Sequence, residues 1–66
     1  MTETVTCTYN SADQLENARE DLVATGIPQE KIYLNEQSNQ VKVVIPAATK
    51  PEVVEILKRH KPSQLV

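Results

Sequence analysis

Between Tyr9 and Leu15 the spacing of apolar residues changes from every second position to every third or fourth. Upstream, Val5, Cys7 and Tyr9 alternate with Thr4, Thr6 and Thr8, the pattern of a strand buried on one face only. Downstream, Leu15, Ala18, Leu22 and Val23 share one stripe of a helix turning about 100° per residue. Only Asn10 and Ser11 separate the two patterns, so strand and helix must pack as adjacent layers. Ser11 and Gln14 have capping-box spacing and predict the helix start. Gly26, the only glycine, predicts its left-handed end, with Ile27 placed for the accompanying apolar contact. Pro28 prevents the helix from resuming. Arg19 falls within the apolar arc, where its stem can pack while the guanidinium reaches water.

The period of two returns over Lys31–Asn35, with Ile32 and Leu34 on one face and Lys31, Tyr33 and Asn35 on the other. It continues over Gln40–Ile45, where Val41, Val43 and Ile45 oppose Lys42 and Val44. The polar run Glu36–Asn39 joins the two as an antiparallel hairpin that Pro46 ends. Thr49 and Glu52 repeat the capping-box spacing, and Pro51 suits the first turn of a second helix. Val53, Ile56, Leu57 and His60 form its inward stripe, and Pro62 stops it.

Strand, helix, strand, strand, helix is an α+β order, a two-layer βαββα arrangement. With a right-handed crossover it predicts a split, ferredoxin-like unit. The expected sheet has three strands in the order second, third, first, with both helices on one face. A fourth strand is missing or very short, since only Gln64–Val66 could supply it. Without it the first strand is an open edge. Antiparallel helices would bring Lys58, Arg59 and Lys61 opposite Asp13 and Glu16.

A length of 66 residues predicts one domain, residues 1–66, with a small core that benefits from a partner chain. The apolar inventory is aliphatic, without Phe or Trp, and promises few polar handles to satisfy inside. One cysteine and one histidine, Cys7 and His60, leave nothing for a disulfide and too little for a zinc site. A net charge of −2 opposes a nucleic-acid role, in which cations neutralise phosphates. The N-terminal Met-Thr-Glu-Thr-Val has no signal-peptide character and no apolar run suits a bilayer, so a cytoplasmic location is expected.

Cys7 shares its face with Val5 and Tyr9, and reads as a buried thiol rather than a nucleophile. His60 lies one turn beyond Ile56 and reads as a helix-end residue covering the core, because functional histidines come with an orienting partner. The run Lys58–Lys61 complements the helix dipole. A single glycine cannot build a phosphate-binding loop, and no cofactor is expected. What remains is the sheet face away from the helices. There Tyr33, Lys31, Lys42 and Val44 should join the row Thr4, Thr6 and Thr8.

Residues Val5–Leu34 resemble the short ferredoxin-like module of bacterial general-stress proteins of the heat-induced, 17M-like type. The resemblance rests on Tyr9-Asn10-Ser11 opening a helix, on Leu15 and Ala18 within it, on Leu22-x-x-x-Gly26-Ile27, and on Ile32-x-Leu34. The run V-K-V-V-I-P and a helix ending Lys58-Arg59-His60 look like the module's return strand and last helix. The resemblance implies a small bacterial module without known chemistry.

The functional expectation is a non-enzymatic interaction module, a homodimer or a partner of another protein, working through the first strand or the open face. The expected interface is Thr4, Thr6, Thr8, Lys31, Tyr33, Lys42 and Val44. A small-ligand-sensing domain is the alternative, and nucleic-acid binding through Lys31, Tyr33 and Lys42 stands behind it. No membrane partner is expected.

Overall fold

A computed structural model describes residues 1–65. Strand β1 (Thr2–Thr8) lies antiparallel to β3 (Gln40–Pro46) along its whole length, with Thr2 opposite Pro46 and Thr8 opposite Gln40. Strand β2 (Ile32–Asn35) flanks β3 on the other side, and β4 (Gln64–Leu65) flanks β1. The sheet therefore has four strands in the order β2-β3-β1-β4, not three. The fourth strand is the correction: Gln64 and Leu65 pair with Thr8 and Cys7, so the C-terminal end of β1 is not an open edge. Val66, the remaining residue of that expected strand, lies outside the described residues.

Helix α1 (Ala12–Thr25) forms as its caps dictate. Ser11 is extended, at φ −147° and ψ 158°, and its hydroxyl accepts the Gln14 N–H at 3.2 Å. The Gln14 side-chain oxygen accepts from Asn10 N–H at 3.3 Å, closing the box one residue early. At the far end Gly26 takes φ +114°, which only glycine adopts without strain. Ile27 N–H then bonds Leu22 O and Gly26 N–H bonds Val23 O, both at 3.1 Å. These two bonds satisfy carbonyls the helix itself leaves unpaired.

Helix α2 (Lys50–Lys58) starts differently from expectation. A 3-10 turn, Ala47–Thr49, leads into it, and Thr49 is already helical at φ −89° and ψ −14°. In that conformation its hydroxyl makes no capping bond, because an N-cap residue must be extended to aim its oxygen at the first turn. Pro46 and Pro51 set the start instead, one ending β3 and one sitting in the first turn. A second 3-10 turn, Gln29–Lys31, precedes β2, so Lys31 sits in that turn and not in the strand.

One core fills the space between the layers. Val5, Cys7, Val41, Val43 and Ile45 from the sheet meet Leu15, Ala18 and Leu22 of α1 and Val53, Ile56 and Leu57 of α2. Both helices thus cover the same sheet face. Tyr9 joins this core at 2% exposure and brings the polar handle that the aliphatic inventory did not promise. Its hydroxyl donates to Leu57 O at 2.8 Å, so no buried side-chain polar atom among the described residues lacks a partner. The Gln14 amide also donates to His60 O at 3.1 Å, tying the start of α1 to the end of α2.

Candidate functional site

The cross-strand register assembles the open face row by row. Lys42 stands opposite Tyr33 on one side and Thr6 on the other, and Thr4 stands opposite Val44. Gln40 lies between Thr8 and Asn35 in the next row. Lys31, in the 3-10 turn before β2, has no cross-strand partner among the described residues, and it borders the same groove as Val44. Of the expected residues, Thr4, Thr6, Thr8, Tyr33, Lys42 and Val44 share one face by register, while Lys31 lies in the turn at its rim. Tyr33 is its exposed aromatic, at 55%. A shallow recess of about 210 Å³ lies between Tyr33, Leu34, Asn35, Gln40 and Lys42.

Charge divides the molecule by layer. Among the described residues, Lys42 is the only charged one on the outward-facing strand positions, with Lys31 at the rim. The carboxylates sit on the helices and in the turns, except Glu3. Glu3 alternates to the helix side of β1, where Lys50 holds it at 3.1 Å. The expected helix-to-helix pairing of Lys58, Arg59 and Lys61 with Asp13 and Glu16 is absent among the described residues. Glu16 instead pairs with Arg19 on its own helix at 2.8 Å. A partner three residues away on the same helix needs no alignment of two helices.

The edge of β1 is half covered. The Thr8 carbonyl accepts from Ser63 N–H at 2.8 Å and from the Ser63 hydroxyl at 3.1 Å, so Thr8 points its main chain toward β4. By the period of two, Thr2, Thr4 and Thr6 point theirs the same way. No described residue pairs with Thr2–Thr6 on that side.

Cys7 is fully buried, and burial pushes its thiol up, with the Tyr9 hydroxyl partly offsetting the shift. A thiol so placed lacks the thiolate that nucleophilic chemistry needs. His60 has an orienting partner that its sequence neighbourhood does not reveal. Its Nε2 lies 3.0 Å from Asp21 Oδ2, across the helix layer and 39 residues away in sequence. Both side chains are partly shielded, and Cys7 is not a hydrogen-bond partner of the histidine. The pair is a brace between helices. Among the described residues no three His, Cys, Asp or Glu side chains gather to hold a metal, and no helix is long and apolar enough to cross a membrane.

Sequence reasoning missed one further feature. Where α1 ends and α2 begins, the chain leaves an open groove of about 420 Å³. Its floor and walls combine Ile27, Pro28, Val44 and Pro46 with Thr25, Thr49, Lys31 and Glu52. These residues come from four separate segments, and no local pattern links them.

Compared with known protein families, curated proteins and solved structures, the chain matches none.

Proposed function

We propose that this domain is a non-enzymatic interaction module that pairs with a second copy of itself through the open face of its sheet. The observation that carries the reading is the row Tyr33, Lys42, Thr6: an exposed aromatic beside a lysine, on a strand face without a carboxylate among the described residues. Threonines and side-chain amides make up most of the rest, so the face loses little on desolvation compared with a charged surface. Two-fold stacking would bring each Tyr33 ring over the partner's Lys42, a contact worth about 0.5–1 kcal/mol at an exposed site. The arrangement is self-complementary, as an isologous dimer requires.

Size sets the strength of the association. Four strands about 4.8 Å apart and seven residues of about 3.4 Å each give a face of roughly 450 Å² at most. Two such faces bury less than the roughly 1,200 Å² at which stable specific interfaces begin. The dimer is therefore weak and concentration-dependent. We take the fold as ferredoxin-like, and the reading agrees with what the stress-protein resemblance implies, a module without known chemistry.

Sedimentation velocity over a concentration series tests this. The native chain should shift toward dimer as concentration rises, and Tyr33→Glu, an exposed substitution, should remain monomeric. A monomer at every concentration overturns the proposal, as does a dimer that Tyr33→Glu leaves intact. Binding to single-stranded nucleic acid that collapses with added salt would assign the same face to another partner.

A further inference from the structure

We propose that the groove between the end of α1 and the start of α2 binds a small zwitterion with an apolar side chain, a free aliphatic amino acid or a dipeptide. The inference is independent of self-association.

Its volume of about 420 Å³ lies within the range of about 300–1,000 Å³ of ligand clefts. Its lining is mainly apolar, with Ile27 and Pro28 on one side and Val44 and Pro46 on the other. Two opposite charges border it. Lys31 comes from the turn before β2 and Glu52 from the first turn of α2. Neither forms an ion pair with any described residue. They have not paired with each other across the groove either. One cation and one anion on a largely apolar lining match a ligand that carries both charges and an aliphatic body.

The helix end adds to this. The Gly26 and Ile27 amides bond Val23 O and Leu22 O, and the Thr25 hydroxyl bonds Asp21 O. The carbonyls of Ala24 and Thr25 have no described donor, and Thr25 lines the groove. An ammonium group near Glu52 would meet this carbonyl-rich end, where the helix dipole is negative. The ligand carboxylate is left to Lys31. A purely anionic ligand would instead meet Glu52, and a purely cationic one Lys31, so the lining selects for the zwitterion.

Amide chemical-shift titration of the intact chain with leucine and with Leu-Leu tests the proposal. Isovalerate and isopentylamine, which carry one charge each, serve as controls. One of the two zwitterions should give saturable shifts confined to Gly26, Ile27, Lys31, Val44, Thr49 and Glu52, and which one does so identifies the ligand. Lys31→Gln and Glu52→Gln, both exposed and able to fold, should each weaken binding about fivefold, as loss of an exposed charge contact does. Absence of saturable shifts up to about 20 mM, beyond the roughly 1 mM of a weak site, overturns the proposal. Equal binding of a singly charged control, or indifference to both substitutions, overturns it as well.

Discussion

The hydroxyl of Tyr9 donates a 2.8 Å hydrogen bond to the carbonyl of Leu57, joining the end of the first strand to the end of the last helix. The Leu57 carbonyl is one of those a helix leaves without an intrahelical partner, and its other contact is the His60 N–H at 3.3 Å. A tyrosine just past β1 therefore acts as a cap for α2, and does so inside the core. One side chain thus ties the sheet to the helix layer.

Tyr9→Phe keeps the ring and its packing while removing the donor. The expected loss of stability is about 1–2 kcal/mol, the cost of leaving a buried acceptor poorly satisfied. Urea unfolding monitored by circular dichroism measures it. A loss within about 0.3 kcal/mol of zero would mean that His60 N–H or water replaces the hydroxyl fully.

Alkaline pH should destabilise the fold through the same region. Burial holds the Cys7 thiol above its ordinary value of 9.0, and burial followed by the neighbouring thiol holds the Tyr9 hydroxyl above its ordinary 10.0. As pH rises past these ordinary values the unfolded chain releases protons that the folded chain retains, so stability falls. Stability should be level below about pH 8 and decline from about pH 9 upward. In Tyr9→Phe the decline should be shallower, since one of the two groups is gone. Thermal melts across the alkaline range read both slopes, and a flat profile through pH 11 would contradict the assignment.

Lys61, three residues past the end of α2, lies in the left-handed region, at φ +56°. A side chain there costs about 1 kcal/mol relative to glycine. Lys61→Gly should raise stability by up to about 0.5 kcal/mol, because the relief of about 1 kcal/mol is partly offset by the roughly 0.4–1 kcal/mol of entropy that glycine adds to the unfolded chain. The N–H of Lys61 keeps its bond to Lys58 O in either case. A drop in the melting temperature would show that the lysine side chain contributes more there than its backbone strain costs.

The residues of the open sheet face were legible because strand alternation settles which side chain faces out. Thr4, Thr6, Lys42 and Tyr33 needed only the period of two and one hairpin to reach a common face. The groove was not legible. Ile27, Lys31, Val44 and Glu52 meet only when two helix ends and a strand end converge, and residue spacing carries no trace of that.

By itself the sequence determined the elements whose energetics are local. Ser11, Gln14 and Gly26 bound α1 through hydrogen bonds within a few residues, and alternation set β1, β2, β3 and the inward face of each. Tertiary structure decided everything that required two distant segments to compete for one partner. Thr49 had the right spacing for a cap, but the turn from β3 placed it in a helical conformation. Asp21 braced His60 from 39 residues away, while Glu16 took Arg19 on its own helix. Strand β4 exists through two residues that no periodicity can mark, because the unpaired main chain at the end of β1 offered them hydrogen bonds.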